Sequence, residues 1–162
     1  MEAVISDDSK YRHWLSRTWG GDGEVVAFIG LNPSTADAKQ NDPTVLKCIR
    51  FAKSWGATKL VIVNLFAYRS SSPRDLWRVE NPAGADNDAW IMRAVEEADI
   101  VVAAWGNNGS YLGRAAEVAK RFQGRLQALR ITKQGMQGHP LYIPAYKQPN
   151  LMKASVNQEL VI

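Results

Sequence analysis

Uncharged amides, turn-forming residues and aromatic rings are concentrated in four short segments of the sequence. These segments are residues 30–35, 64–66, 105–108 and 138–142. Amide side chains donate and accept hydrogen bonds without carrying charge, and aromatic rings stack on flat molecules. This combination is typical of a pocket for a planar, neutral ligand that forms hydrogen bonds, such as a nucleobase.

Alternating strands and helices are predicted to bring the four segments together. Short apolar runs indicate strands, and apolar residues at helical spacing indicate helices. The predicted strands are residues 24–30, 59–64, 99–105 and 125–131, and the predicted helices are residues 42–56, 86–98 and 110–122. This order predicts an α/β fold, a three-layer sandwich around a central, mostly parallel sheet of four or five strands. Ligands of such sheets bind beyond the carboxyl ends of the strands, which is where the first three segments fall.

The N-terminal part of the sequence gives a weaker pattern. Residues 1–10 are polar, and we expect them to be loosely held. Residues 11–19 are predicted to be extended and to pair with the following strand through the glycine-rich turn at residues 20–23.

Length and composition limit the possible classes of protein. The chain has 162 residues, and 20 Lys+Arg against 16 Asp+Glu give a charge of +4. We expect a single domain over residues 1–162. The modest charge does not decide whether the partner is a nucleic acid.

The single cysteine and two histidines argue against an iron–sulfur cluster or a multi-cysteine zinc site, so no metal and no cofactor are expected. No apolar run is long enough for a membrane span and no signal-peptide pattern opens the chain, so we expect a cytoplasmic protein without a membrane partner.

The motifs in these segments resemble a known family over nearly the whole chain. Gly30-Leu31-Asn32-Pro33-Ser34-Thr35-Ala36-Asp37, Asn41-Asp42-Pro43-Thr44, Asn64-Leu65-Phe66, Ala104-Trp105-Gly106 and His139-Pro140-Leu141-Tyr142 are similar to the family called domain of unknown function 1643. That family implies no particular activity.

The order of the motifs also resembles the uracil-DNA glycosylase superfamily, especially its mismatch-specific and single-strand-selective branches. Those enzymes place a Gly-x-Asn-Pro segment after the first strand, an Asn-containing loop after the second, and a His-Pro or Asn-Pro motif late in the chain. Here Gly30-Leu31-Asn32-Pro33, Asn64 and His139-Pro140 occupy these places. The resemblance implies a uracil-DNA glycosylase-like fold and a hydrolase that cleaves N-glycosidic bonds in DNA repair or modification.

The resemblance also implies roles for individual residues. Asn32 would hold the attacking water, and His139 would donate a hydrogen bond to the departing base. Asn64 would bind the hydrogen-bonding edge of a base extruded from the nucleic acid, and Leu141 or Tyr142 would enter the space that the base leaves.

Phe28, Phe66 or Trp105 would stack on the base. The remaining predicted binding residues are Gly30, Leu31, Pro33, Ser34, Pro140 and Arg69, with Ser34 and Arg69 near a phosphate.

Departures from the superfamily pattern keep other functions open. Asp37 and Asp42 place acidic charge beside Asn32, which permits an additional catalytic role for Asp37 or a nucleotide or nucleoside hydrolase or transferase. A non-catalytic module that binds a nucleic acid or modified base is a further alternative. Asn32 can also be an ordinary turn residue and Trp105 an ordinary core residue. The base, the strand form of the substrate and the oligomeric state are left open.

Overall fold

A computed structural model describes residues 1–144 and 146–151. Its strands are β1 Glu2–Ile5, β2 Arg12–Thr18, β3 Val25–Gly30, β4 Lys59–Asn64, β5 Ile100–Ala103, β6 Leu126–Ala128 and β7 Asn150–Leu151. Its α-helices are α1 Pro43–Ser54, α2 Asn87–Glu97 and α3 Arg114–Arg121. Short 3-10 turns lie at Pro73–Arg78, Asn107–Gly113 and Pro140–Tyr142.

The strands form one mixed sheet in the order β1-β2-β4-β3-β5-β6-β7. The α/β class is confirmed, but the prediction of a mostly parallel sheet of four or five strands is wrong. The four central strands β4, β3, β5 and β6 run parallel to one another, whereas β1, β2 and β7 pair antiparallel at the two flanks. Parallel neighbours need long crossovers, and the three α-helices occupy the crossovers between β3, β4, β5 and β6. The connection from β1 to β2 is too short for a crossover, so these strands pair as a hairpin.

The N-terminal residues are placed differently from the prediction. β1 lies within residues 1–10 and pairs with β2, where the sequence analysis expected a loosely held segment. β2 pairs with β4 and not with the strand that follows it. The physical reason is that β3 already has parallel partners on both edges, β4 and β5, so β2 takes the free edge of β4.

The helices cover both faces of the sheet. α1 packs on one face, where its buried residues Val45, Cys48 and Phe51 join the side chains of Phe28 and Ile62. α2 and α3 pack on the opposite face with their own buried apolar residues. In the described part of the chain, no helix is long and apolar enough to span a membrane.

The predicted helix boundaries agree closely for the first two helices. Asp42 caps α1 because its carboxylate accepts a hydrogen bond from the Val45 main-chain N–H at 2.9 Å, and Pro43 follows at the first helical position. The third helix is shorter than predicted. Leu112 and Gly113 have positive φ angles of 54° and 67°, so a 3-10 turn precedes α3 instead of a continuous helix.

Candidate functional site

A pocket lies beyond the carboxyl ends of β3, β4 and β5, on the face of the sheet that α1 covers. Its volume is about 50 Å³, which is room for roughly three to five water-sized groups. Nine residues predicted from the sequence to contact a ligand line it: Phe28, Gly30, Leu31, Asn32, Pro33, Ser34, Asn64, His139 and Pro140. The other lining residues are Arg12, Asp42, Thr44, Val45, Cys48, Ile62 and Ala104. The structure therefore brings Asn32, Asn64 and His139 to one place.

Asn32 is held in a defined orientation by main-chain carbonyls. Its Nδ2 donates to the carbonyl of Ser70 at 3.0 Å, to that of Pro33 at 3.2 Å and to that of Tyr68 at 3.4 Å. Because all three partners are acceptors, they define which end of the amide carries the hydrogens. Oδ1 remains as an acceptor that can orient a water molecule or a ligand N–H.

Asn64 is buried and lies next to Gly30, its register partner across β3 and β4. A Cβ atom on Gly30 would be 2.7 Å from Asn64 Oδ1, so only glycine leaves room for the amide in this position. Asn64 Nδ2 is buried and has no hydrogen-bond partner among the described residues. An unpaired buried donor is costly unless a ligand or water pairs with it, and Asn64 lines the pocket, so this N–H group is available to a ligand there.

The main chain at Asn64 is fixed from the opposite face of the sheet. Asn87 Nδ2 donates to the carbonyls of Asn64 at 2.8 Å and Leu65 at 3.2 Å. Arg114 donates twice to the Leu65 carbonyl and pairs with Asp88. Both Asn87 and Arg114 are buried. The Asn64 side chain therefore projects from a main chain that is anchored by two helices.

His139 caps the Pro140–Tyr142 turn, and its ring is neutral at neutral pH. Its Nδ1 accepts the main-chain N–H of Leu141 at 3.3 Å. Burial lowers the pKa of His139, and the negative charge of Asp42 opposes that shift only in part. With Nδ1 acting as an acceptor, the neutral ring carries its proton on Nε2, so His139 has one N–H to donate to a ligand.

Asp37, the third predicted catalytic residue, does not line the pocket. Its carboxylate accepts the main-chain N–H groups of Lys39 and Gln40, both at 2.8 Å, and these bonds lower its pKa. Asp42 lines the pocket instead, where its second oxygen accepts the N–H of Ala36 at 3.3 Å. Of the two carboxylates that follow Asn32 closely in the sequence, only Asp42 lies at the pocket.

Arg12 is a charged lining residue that was not predicted from the sequence. It is 2% exposed, and its Nη1 donates to the carbonyl of Ala36 at 3.0 Å. Burial lowers the pKa of Arg12 to about 10, against the opposing influence of Asp42, and the group remains a cation at neutral pH. The residue lies at the start of a strand from the N-terminal flank, and no local pattern in the sequence links that strand to the pocket.

Three arginines hold residues 31–42, which we call the site loop, through its main-chain carbonyls. The pairs are Arg12 with Ala36, Arg17 with Gln40, and Arg69 with Ser34. The guanidinium of Arg69, predicted as a phosphate contact, also donates to the carbonyls of Thr35 and Ser9. In this structure Arg69 therefore positions the site loop and lies outside the pocket lining.

The predicted aromatic residues divide between the two faces of the sheet. Phe66 and Trp105 are buried in the core that α2 and α3 cover, so they cannot stack on a ligand in this pocket. Phe28 lines the pocket. Leu141 and Tyr142 follow the pocket residue Pro140 and are 41% and 74% exposed. They lie on the surface beside His139, and the Tyr142 ring lies 5.6 Å from the His139 ring.

A family model described as a protein of unknown function (DUF1643) matches residues 12–141. The matched stretch includes Arg12, Asn32, Asn64 and His139. Comparisons with curated proteins and with solved structures gave no match.

Proposed function

The chain belongs to the DUF1643 family, and we propose that this member hydrolyses the N-glycosidic bond of a uracil-type or modified base, in DNA or in a nucleobase-containing small molecule. The observation that carries the proposal is the convergence of Asn32, Asn64 and His139 on one pocket with an apolar wall at Phe28. The motif resemblance to uracil-DNA glycosylases supports the same reaction.

Each polar group of the pocket has a defined hydrogen-bonding role in this reaction. Asn32 Oδ1 accepts a hydrogen bond from the attacking water, because Nδ2 is occupied by main-chain carbonyls. His139 donates its Nε2 hydrogen to a carbonyl oxygen of the base. Asn64 donates its unpaired Nδ2 hydrogen to the edge of the same base. The pocket is small, so the base enters edge first and the sugar stays at the opening.

The reaction needs no group beyond water. The bond from C1′ of the sugar to the base nitrogen breaks, and its electron pair leaves with the base as an anion. Water forms the new bond to C1′ and releases one proton, and the departed base takes up a proton. Because charge develops on the base oxygens as the bond breaks, donors fixed toward those oxygens stabilise the transition state more than the ground state.

The test is base release from oligonucleotides that carry uracil, hydroxymethyluracil or hypoxanthine, measured as strand breaks at abasic sites after alkali. Asn32→Ala should reduce the rate by about a hundredfold or more, because the water loses its acceptor. Asn108→Ala is the matched control, since Asn108 is an exposed asparagine outside the pocket. Its rate should equal that of the wild type.

The outcomes separate this proposal from its alternatives. Within the proposal, release from oligonucleotides with binding that weakens steeply as salt rises would assign DNA as the substrate. Release from free nucleosides alone, with binding that hardly responds to salt, would assign the small molecule and make the protein a nucleoside hydrolase. Binding of bases without release from any substrate would make the protein a binding module. Neither release nor binding by the folded protein would overturn the proposal.

A further inference from the structure

Arg12 is a buried cation that forms no ion pair with any described residue. Its side chain lines the pocket, and it is 2% exposed. Of its donors, Nη1 reaches the carbonyl of Ala36, while Nε is buried and lacks a hydrogen-bond partner in the described part of the chain. No carboxylate of the described residues lies within 4.0 Å of its guanidinium nitrogens. A buried charge of this kind is costly unless it is paired.

Asp42 is the negative group that influences Arg12, and each of its oxygens already accepts one hydrogen bond. Oδ1 accepts from Val45 and Oδ2 accepts from Ala36, both through main-chain N–H groups. The other charged groups that influence Arg12 are Arg69 and Arg17, and both are positive. The charges that act at Arg12 are therefore its own, those of two further arginines and that of one carboxylate. Asn64, another lining residue, has no described partner for its Nδ2.

We propose that Arg12 and Asn64 together bind the base as its anion, so that Arg12 is the residue that stabilises the leaving group. The inference rests on the proposed function, and it adds the residue that neutralises the departing anion. A neutral base would leave the charge of Arg12 unpaired, whereas the anion formed when the C1′–N bond breaks would neutralise it. His139, which is neutral, cannot supply that charge.

The proposal predicts that the pocket prefers acidic free bases. Uracil, 5-fluorouracil and 5-nitrouracil have increasingly acidic ring N–H groups, so at one pH just above neutral the anionic fraction rises along the series. Isothermal titration calorimetry of the full-length protein should show affinity rising along the series by about tenfold to a hundredfold, the range expected for a charge-assisted hydrogen bond. Arg12→Gln should remove this rise, and Arg12→Lys should keep most of it.

Two controls keep the result specific to Arg12. The same three bases are titrated into each protein, so any effect of the size of the 5-substituent is common to wild type and Arg12→Gln. A difference between the two proteins in how affinity rises along the series therefore reports charge and not fit. Arg17→Gln is the matched variant, since Arg17 is also a buried arginine of β2 that holds the site loop, but it does not line the pocket. Any loss of affinity that arises through the site loop should be equal for the three bases, so Arg17→Gln should keep the rise in affinity along the series. If Arg12→Gln does not fold, two measurements still test the role of Arg12. The wild type should show the rise in affinity along the series, and Arg12→Lys should keep most of it.

Turnover supplies the second readout. On oligonucleotides that carry the same three bases, Arg12→Gln should slow the release of uracil by about a hundredfold and that of 5-nitrouracil by about tenfold or less, because a more stable anion needs less help. Equal affinity for the three free bases, or an equal loss of rate on the three substrates, would overturn the role of Arg12 and leave the glycosidase proposal standing. If the folded protein neither binds nor releases any of the bases, both proposals fail.

Discussion

At the scale of single residues, the pocket depends on one missing methyl group. Gly30 ends β3 beside Asn64, and the space a Cβ atom would take is occupied by Asn64 Oδ1. The φ angle of Gly30 is outside the left-handed region, so its requirement is for space and not for backbone freedom. The residue matters because it sets where the amide lies.

Gly30→Ala is therefore expected to displace the Asn64 amide. The added methyl group would lie 2.7 Å from Oδ1, which is closer than a Cβ contact allows, so the amide has to move. We expect a loss of base affinity and turnover of about tenfold or more, with a destabilisation of about 1–3 kcal/mol. Calorimetric binding and urea unfolding measure the two effects.

Gly21→Ala serves as the control for this substitution. A Cβ atom on Gly21 would meet nothing within 4 Å, and the glycine has no positive φ angle. Affinity and stability should stay at wild-type values. Equal effects at the two positions would show that the loss at Gly30 does not come from Asn64.

At the scale of elements, the pocket is held by parts of the fold that do not line it. The N-terminus of α2 and the start of α3 supply Asn87 and Arg114, which hold the carbonyls at the end of β4. β2 supplies two of the arginines that hold the site loop. The geometry of the pocket thus depends on side chains from the helices on the opposite face of the sheet and from one antiparallel flank.

Asn87→Ala tests this anchoring. The substitution removes the donor to the Asn64 carbonyl and leaves that buried oxygen without its partner, so we expect a destabilisation of about 1–3 kcal/mol and weaker base binding. Asn81→Ala, at an exposed asparagine whose side chain accepts one long hydrogen bond from Gly84, should cost less than about 0.5 kcal/mol. Urea unfolding compares them, and unchanged stability in Asn87→Ala would contradict the anchoring.

Much of the parallel core was predictable at the element scale, and the flanks were not. β3 and β4 are uninterrupted apolar runs bounded by turn residues, and Asp42 with Pro43 marks the start of α1. Local sequence patterns are therefore enough to predict these three elements. The partner of β2 depends on which strand has a free edge, and that is decided only when the sheet is assembled. A local pattern also cannot assign residues just beyond a strand to a face, so Phe66 and Trp105 were predicted at the pocket although they lie in the opposite core.

Arg12 was missed for a related reason. An arginine in an extended polar segment is normally solvent-exposed. Its burial follows from the packing of β2 beside β4 and of the site loop over both, which are contacts between residues far apart in the sequence.

At the scale of the whole molecule, His139 couples stability to pH. Burial lowers its pKa in the folded protein below the usual value of 6.5. Between the two pKa values the unfolded chain binds more protons than the folded one, so the free energy of unfolding decreases as the pH falls below about 6.5. Above that value His139 is neutral in both states and contributes no pH dependence.

Urea unfolding of the wild type and His139→Gln measures this coupling. The difference in stability between the two proteins should be constant above about pH 7 and should shift against the wild type as the pH falls toward about 5. A constant difference over the whole range would mean that the folded protein does not disfavour the protonated ring.

The antiparallel flank has a consequence for how binding preference can diverge among proteins with this fold. The amides of the pocket come from the ends of the parallel strands, whereas its positive charge comes from β2, which joins the sheet from the N-terminal side. The hydrogen-bonding pattern and the charge of the pocket are therefore encoded in separate stretches of chain. A substitution in β2 can change which charge state of a ligand is accepted while the atoms that recognise its shape stay where they are.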